Sequence, residues 1–349
     1  MMFSRKLQHL RLFVVRRKRR LALLVLLTAL AVLYLAWRSA KVTSDALLPP
    51  QVTKDLSHLR RSRSLKHYLD NIQLLIEPSS LPCESLEAVP LVALVTSAPH
   101  HAAHREAVRN TWAKHLPTYF FIGLTGDNVD ESLVDNYMEA KLHGDLVVFD
   151  FKDDYQNLTL KTALMLQWTL DRCPQAEFMF KTDDDVLVNP WTLRTVLKEN
   201  VDAKLVGYKL CSTAHRDEHN KWYLPRWLLP EDVVPEYLSG TGYLINGEYL
   251  RPIFEAAFHV PLINIEDVYF TYLVAQKRLN LKLTDDRRLS CYKPLLPAGC
   301  AYWALASVHS LEPGEMVSVW PKIESLAKRK GAVCTSHIDS LVSNELFLY

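Results

Sequence analysis

The stretch EFMFKTDDDVLVN, residues 177–189, predicts an apolar β-strand that runs directly into three consecutive carboxylates. Strand-like runs alternate with helical segments around it, which predicts an α/β sandwich with a mainly parallel sheet. The other predicted strands are residues 89–98, 118–126, 145–151 and 203–210, and the predicted helices are residues 104–115, 130–142, 158–170 and 190–200. Because ligands of open α/β sheets bind beyond the carboxyl ends of strands, we expect the acidic triplet to lie in an active site.

The second half of the chain is less regular. We expect an aromatic-rich loop at residues 219–237, a turn at Ser239–Gly242 and helices near residues 247–258 and 265–279. Neither GxGxxG nor GxxxxGK[ST] occurs, which disfavours dinucleotide-dependent oxidoreductases and P-loop enzymes. We predict a single catalytic domain at residues 88–349.

The net charge of +2 is the sum over two parts of the chain that carry opposite net charges. The first 37 residues carry eight Lys and Arg and no acidic residue, which leaves 33 basic and 39 acidic residues in the remainder. With 49% hydrophobic and 23% charged residues, the composition is that of a globular protein and disfavours a multi-span membrane protein. We predict no nucleic-acid partner.

Residues 21–37 form an uncharged segment that follows the basic run Arg16–Arg20. A helix of this length spans roughly 25 Å, enough to cross a thin bilayer, and the charge asymmetry places the amino terminus in the cytosol. A cleaved signal peptide is the alternative, but the bulky Tyr34 and Trp37 favour an uncleaved anchor. We therefore predict a type II protein of the Golgi membrane, with a cytosolic tail at residues 1–20 and a luminal catalytic domain.

Residues 38–87 have the composition of a stem, which we interpret as a tether with a little helix. All six cysteines follow the predicted anchor, and Cys291 with Cys300 is our prediction for one of up to three disulfides. No spacing of cysteine and histidine suggests zinc. Asn157 begins the only NxS/T sequon and is therefore a predicted glycosylation site.

The acidic triplet has the pattern of a metal site. Alternate side chains of an extended chain face the same way, so Asp183 and Asp185 can converge while Asp184 points elsewhere. Two converging carboxylates repel each other unless a cation lies between them, and Mg²⁺ or Mn²⁺ with phosphate oxygens suits such hard ligands. A solvated acidic turn is the alternative, which the apolar residues on both sides disfavour.

A second acidic pair, Glu266 and Asp267, opens an otherwise apolar helical segment. These residues either cap the helix and complement its dipole or supply a general base that takes a proton from an attacking hydroxyl. Both interpretations place the pair at a helix amino terminus.

Several other side chains also have two interpretations. Arg105 and Arg109, four residues apart on one helix face, either bind a diphosphate or form a solvated charged face, and Lys161 has the same alternatives. His309 is either a core residue or a metal ligand. The aromatic side chains of the loop either stack on sugar faces or pack a core: Trp222, Tyr223, Trp227 and Tyr237.

The order of these motifs resembles the β1,3-glycosyltransferase family of the Golgi, the galactosyl- and N-acetylglucosaminyltransferases related to the Fringe proteins. In chain order the motifs are HREAVRNTW, FFIGLTG, DFKDDYQNLTLKT, FKTDDDVLVN, EYLSGTGYLI, IEDVYF and VHS, and the match covers roughly residues 89–325. The resemblance implies a GT-A fold, a UDP-sugar donor, Mn²⁺ rather than Mg²⁺ as the cofactor, and inversion at the anomeric carbon.

The resemblance also implies residue roles. It assigns the metal to Asp185 and His309 and the catalytic base to Asp267, with Glu266 beside it. Residues that match donor-binding positions are Arg105, Arg109, Lys161, Asp183, Asp184, Gly240, Thr241 and Gly242. We expect the acceptor sugar to lie against aromatic side chains, namely Trp222, Tyr223, Tyr237 and Tyr243.

The resemblance therefore predicts transfer of a hexose, with galactose from UDP-galactose favoured, to the 3-hydroxyl of a terminal sugar on a glycoprotein, glycolipid or proteoglycan. Transfer of N-acetylglucosamine is one alternative, and a catalytically inactive luminal chaperone or partner of an active transferase is another. One departure from the family pattern is Thr271, which stands where the family often has Gly and which we expect to alter the acceptor side.

Overall fold

The computed structural model describes residues 23, 25–36, 56–79, 81, 83, 89–125, 129–294, 298–329 and 334. The chain divides into two compact units, one formed by residues 1–49 with 347–349 and the other by residues 50–346. In the first unit, residues 25–36 are helical and mostly exposed. None of the helices in the described part of the chain combines the length and apolar character that crossing a bilayer requires. The predicted cytosolic tail, residues 1–20, lies outside the described residues.

The second unit contains eleven strands in its described part. They are β1 (Leu74–Ile76), β2 (Val92–Thr96), β3 (Thr118–Leu124), β4 (Leu146–Lys152), β5 (Phe178–Asp183), β6 (Leu187–Val188), β7 (Leu205–Thr213), β8 (Val233–Asn246), β9 (Leu283–Asp285), β10 (Leu289–Ser290) and β11 (Ser307–Val308). Eight of them form one sheet in the order β1-β4-β3-β2-β5-β8-β7-β9, and β10, β11 and β6 form a small second sheet.

The large sheet is mixed rather than mainly parallel. Strands β4, β3, β2 and β5 are parallel, as the alternation of strands and helices predicts. Strand β8 is antiparallel to both of its neighbours, β5 and β7, and β1 is antiparallel to β4. The prediction of an α/β sandwich is thus confirmed, while the parallel order holds for the first half of the sheet only.

Helices cover both faces of the large sheet. They are α1 (Leu65–Leu69), α2 (Ala102–Asn110), α3 (Val129–His143), α4 (Leu158–Arg172), α5 (Pro190–Glu199), α6 (Gly247–Ala257), the π-helix α7 (Val268–Arg278), α8 (Gly299–Ala304) and α9 (Pro313–Lys328). Successive side chains of a strand face opposite sides. Leu94 of β2 accordingly packs in the core with α4, α6 and α7, whereas Ala93 and Val95 pack in the core with α2, α5 and α9.

The predicted turn at Ser239–Gly242 lies instead in the middle of β8. Gly242 pairs with Thr182 of β5, so the glycines of this segment are strand residues. A Cβ atom on Gly242 would lie 3.2 Å from the Phe180 ring, and one on Gly240 would lie 3.2 Å from Asp267 Oδ2. The small residues therefore permit close packing beside the acidic triplet. The same residue types are also typical of turns, so the sequence pattern does not distinguish a turn from a closely packed strand.

Part of the predicted stem packs on the domain. Strand β1 adds to the edge of the large sheet beside β4, and the Leu65 side chain is fully buried. The backbones of Arg63 and Leu262 bond to each other, and Arg63 also donates to the Leu262 carbonyl at 3.0 Å. These contacts extend the folded unit to the amino-terminal side of the predicted boundary at residue 88, because the short apolar runs find partners on the sheet edge.

The disulfides differ from the predicted pair. Cys83 bonds to Cys173, and Cys300 bonds to Cys334, whereas Cys291 is a free thiol. Cys300 lies in α8, which packs on α9, and it meets the segment that follows α9. Proximity in sequence is therefore a poor guide here, since Cys300 pairs with Cys334, which follows α9. The bond at Cys83 also fastens the predicted stem to the end of α4.

Leu65→Ala should destabilise the protein by about 2–3 kcal/mol, since the fully buried Leu65 side chain leaves a cavity in the core. Urea unfolding of the full chain measures the change. Leu75→Ala is the matched control, because Leu75 is 38% exposed on the edge strand, and it should change stability by at most about 0.5 kcal/mol. Equal stability of the two variants would show that the segment before residue 88 is a tether after all.

Candidate active site

Three side chains that can bind a divalent metal meet beyond the carboxyl end of β5. Asp183, Asp185 and His309 each offer a ligand atom, and these atoms lie within 4.8 Å of one another. His309 Nε2 is 3.3 Å from Asp185 Oδ2. The small sheet brings His309 to this place, because Val308 of β11 pairs with Leu187 of β6, directly after the triplet. Two carboxylates and one imidazole suit a divalent ion.

Asp184 points away from this group, as the alternation along the chain predicts. Its carboxylate accepts a hydrogen bond from Ser97 Oγ at 2.7 Å and lies 2.9 Å from His101 Nδ1. The bond to Asp184 raises the pKa of His101. Asp184 is 5% exposed, so in this structure it fastens the connection between β2 and α2.

A buried lysine connects the triplet to the second acidic pair. Lys181 is 2% exposed, donates to Asp183 Oδ1 at 2.7 Å and lies 3.5 Å from Glu266 Oε2. Its ammonium group also donates to the Gly240 carbonyl at 2.5 Å. Burial lowers the pKa of Lys181, but the charges of Asp183 and Glu266 outweigh it, and the net effect raises this pKa.

The same ion pair acts on Asp183. Burial raises the pKa of its carboxyl, but Lys181 and a hydrogen bond from the Thr96 hydroxyl hold that pKa below its usual value. Asp183 thus stays ionised and keeps its charge for a metal ion. Lys181 offsets the charge of Asp183, while the charge of Asp185 remains to attract a metal ion.

Asp267 caps the first turn of α7, and its carboxylate is held by two backbone donors. Oδ1 accepts from the Val268 N–H at 2.8 Å, and Oδ2 accepts from the Gly240 N–H at 3.0 Å. Each oxygen retains a lone pair that can accept a further hydrogen bond. Burial raises the pKa of Asp267 against the effect of these donors, which strengthens it as a base. Both predicted interpretations, the cap and the base, are therefore compatible with the geometry.

Glu266 lies deeper than Asp267. It is 6% exposed and accepts a hydrogen bond from the hydroxyl of Tyr243, which is fully buried. Tyr243 faces Glu266 here, not an open pocket, which differs from the acceptor-binding position that we expect for it. Burial raises the pKa of Glu266 to about 7, since the charge of Asp267 adds to the effect while Lys181 opposes it.

The raised pKa of Glu266 predicts a pH-dependent stability of the metal-free protein. The folded chain retains the Glu266 proton up to about pH 7, whereas the unfolded chain releases it near its usual pKa of 4.5. The stability from this group is therefore complete below the unfolded pKa and is lost as pH rises through the folded pKa. Glu266→Gln should remove this loss in thermal unfolding between about pH 5 and 8.

Glu236→Gln is the control for this experiment, because Glu236 is a more exposed carboxylate that pairs with Lys209. It should retain the pH dependence of the parent chain. Identical pH profiles for Glu266→Gln and the parent chain would contradict the assigned protonation of Glu266.

The Thr271 side chain lies in the protein interior. It is fully buried, donates to the Asp267 carbonyl at 2.6 Å and accepts from the Leu238 N–H at 3.0 Å. Thr271 therefore ties α7 to β8 beneath Asp267, and the departure from the family pattern supports the position of the base.

The three basic residues predicted to bind a diphosphate are paired with carboxylates. Arg105 is fully buried and bonds to Glu139, with its remaining donors on Ser97 and two backbone carbonyls. Arg109 bonds to Asp145 and Glu139, and Lys161 bonds to Asp153 at 2.7 Å. In this structure these cations hold β2, α2, α3 and α4 together behind the site.

The aromatic loop contributes one pair at the site. Trp222 Nε1 donates to the Tyr155 hydroxyl at 2.9 Å. Burial raises the pKa of Tyr155, and the negative charges of Asp267 and Asp183 raise it further. Burial and the charge of Asp267 likewise raise the pKa of Tyr237 to about 12.

The other predicted site residues have more peripheral contacts. The Thr241 carbonyl accepts from Thr182 Oγ1 at 3.0 Å within the β5–β8 pair. Tyr223 forms an isolated bridge with His215. The sequon begins α4, where Asn157 donates to the Lys152 carbonyl at 2.8 Å and accepts from Arg61.

Two functional candidates in the structure were not predicted from the sequence. Lys181 stands in the motif FKTDDDVLVN and Tyr155 in DFKDDYQNLTLKT, but neither had a role there. A lysine inside an apolar strand is an unusual signal, because an unpaired buried ammonium is costly, and it could have indicated a buried carboxylate partner. No signal in the sequence identified Glu266 as that partner.

A sequence model described as galactosyltransferase matches residues 103–285. Beta-1,3-galactosyltransferase 5 of Homo sapiens is 32% identical over 250 residues, which cover 67% of this chain and 78% of that protein. Beta-1,3-galactosyltransferase 1 of Mus musculus is 30% identical over 264 residues, which cover 72% of this chain and 78% of that protein. A solved structure of galactosyltransferase LgtC with donor and acceptor sugar analogues matches with a TM-score of 0.33 and 14% identity, covering 69% of this chain and 95% of that chain.

Proposed function

The chain belongs to the β1,3-galactosyltransferase family, and on that premise we propose that it transfers galactose from UDP-galactose to the 3-hydroxyl of a terminal glycan sugar. One observation carries the proposal: the buried Lys181 joins the candidate metal ligand Asp183 to Gly240, whose N–H bonds to the candidate base Asp267. The candidate metal ligand and the candidate proton acceptor are therefore linked through a continuous path of partly buried hydrogen bonds. We further propose that the fold is of the GT-A type.

The reaction is a single displacement with inversion. The acceptor oxygen forms a bond to C1 of galactose, the bond from C1 to the diphosphate oxygen breaks with its electron pair on UDP, and Asp267 takes the hydroxyl proton. The two backbone donors on Asp267 hold its carboxylate in place for this transfer. The path requires no covalent intermediate on the protein.

Asp185, His309 and Asp183 are the residues that would hold the metal ion, for which we propose Mn²⁺. Their fit rests on the donor set, two carboxylates and an imidazole with ligand atoms within 4.8 Å of one another. When bound, such an ion neutralises negative charge that develops on the leaving diphosphate. The hydrogen bond from Lys181 holds the Asp183 carboxylate in its orientation toward the other metal ligands.

We propose that the acceptor sugar lies against Trp222 and Tyr237, with Asp267 at its 3-hydroxyl. The charge asymmetry around residues 21–37 supports a type II orientation in the Golgi membrane, with the catalytic domain in the lumen. The same location supports a glycan on Asn157, whose sequon stands on the luminal side in this orientation.

The experiment measures UDP release by the full chain in detergent, with UDP-galactose or UDP-N-acetylglucosamine, a panel of terminal-sugar acceptors, and Mn²⁺ or a chelator. We expect release with UDP-galactose and Mn²⁺, loss of release with the chelator, and a β1,3 linkage in the product by NMR. Asp185→Ala should also abolish release. Preference for UDP-N-acetylglucosamine would change the donor assignment, and no release with any pair would favour the inactive partner.

A further inference from the structure

A bound nucleotide sugar brings a negatively charged diphosphate to a site that already holds two carboxylates. The ligands Asp183 and Asp185 themselves offset the charge of a divalent ion, while the diphosphate of the donor adds further negative charge. The cations that the sequence offers for this charge are already neutralised, since Arg105 pairs with Glu139 and Lys161 pairs with Asp153. A further unpaired cation beside the site would offset part of the diphosphate charge.

Lys221 is such a cation. It is half-buried in the connection between β7 and β8, and among the described residues it has no ion-pair partner. Burial lowers the pKa of Lys221. The negative charges of Asp183 and Asp185 partly offset this effect by raising the pKa. The charges of both candidate metal ligands thus act on Lys221, and within the described part of the chain it forms an ion pair with neither.

An aromatic pair positions this ammonium group. Lys221 Nζ lies 5.0 Å from the centre of the Tyr155 ring and 4.8 Å from that of Trp222. The hydrogen bond from Trp222 Nε1 to the Tyr155 hydroxyl holds the two rings together. Cation–π contacts at partly exposed sites are weak, so the flexible lysine can exchange them for a charged hydrogen bond.

We propose that Lys221 binds the diphosphate of the nucleotide sugar from the side of the loop, and that Tyr155 and Trp222 position it. The inference rests on the proposed function, which supplies the nucleoside diphosphate. A charged hydrogen bond from an ammonium group to a phosphate oxygen strengthens as negative charge develops on the leaving UDP. Lys221 is thereby a donor-binding residue.

Calorimetric titration of the full chain with UDP in saturating Mn²⁺ tests the proposal, with uridine as the probe that lacks phosphate. Lys221→Met should weaken UDP binding about 10- to 100-fold and leave uridine binding unchanged. Lys221→Arg should restore most of the UDP affinity, because it keeps the charge. Lys209→Met is the matched control, since Lys209 pairs with Glu236 elsewhere, and it should bind UDP normally.

The outcomes separate this proposal from the proposed function. Absence of UDP binding by the parent chain in Mn²⁺ would overturn both. Normal UDP binding by Lys221→Met, or equal weakening of UDP and uridine, would overturn the role of Lys221 alone. Thermal unfolding of Lys221→Met shows that the variant is folded, and a failure of Lys221→Arg to restore affinity would likewise contradict a role for the charge.

Discussion

Asp267→Asn is expected to lower kcat for galactosyl transfer by about 10²- to 10⁴-fold, because an amide cannot take the proton of the acceptor hydroxyl. The substitution keeps the cap of α7, since the Asn side-chain oxygen still accepts from the Val268 N–H. Its amide nitrogen cannot accept from the Gly240 N–H, so thermal unfolding of the variant is measured alongside its activity. Affinity for UDP in Mn²⁺ should be unchanged, because Asp267 lies outside the candidate metal group. Initial rates with saturating donor and acceptor, together with UDP titration, measure the two effects.

Asp285→Asn is the matched control for this variant. Asp285 also accepts a backbone hydrogen bond, from the Lys209 N–H at 2.9 Å, but it lies on β9 and has no predicted part in catalysis. It should retain the parent kcat. If Asp267→Asn kept more than about a tenth of the parent kcat, the role of Asp267 as general base would be wrong.

Lys181→Met should destabilise the protein by about 3–5 kcal/mol, because it leaves the carboxylates of Asp183 and Glu266 without their buried partner. The loss should be largest above about pH 7, where Glu266 is ionised, since its pKa is raised to about 7. Urea unfolding at about pH 8 and at about pH 6 measures the loss of stability and its dependence on pH.

Lys209→Met provides the control, because its pair with Glu236 is partly exposed and should contribute at most about 1 kcal/mol. A loss at Lys181 no greater than the loss at Lys209 would contradict the idea that one buried ammonium supports both acidic groups. Loss of stability without any dependence on pH would contradict the part assigned to Glu266.

The architecture of the first half could be predicted because its signals are local. Apolar runs of strand length and helical segments alternate there, and β2, β3, β4 and β5 are parallel as expected. The second half broke this pattern. Ser239–Gly242 consists of turn-forming residues, yet it lies within β8, where its glycines allow close contact with Asp267 and Phe180.

The acidic triplet shows what the alternation of side chains along a strand can predict and what it cannot. The alternation of side chains predicts that Asp183 and Asp185 converge and that Asp184 points elsewhere, and the structure has this arrangement. The rule says nothing about His309, which the pairing of β11 with β6 brings to Asp185 from more than a hundred residues away. Only the resemblance to the family placed that histidine near the metal.

The sequence by itself determined the α/β class, the carboxylates at the end of β5 and the pair at the start of α7, because each depends on residues close together in the chain. The tertiary structure alone decided which charges meet. Arg105, Arg109 and Lys161 pair with carboxylates rather than remaining free for a diphosphate, and Lys181 joins Asp183 to Glu266. Ion pairing depends on distances of a few ångströms between distant segments, and these distances exist only after the sheet has assembled.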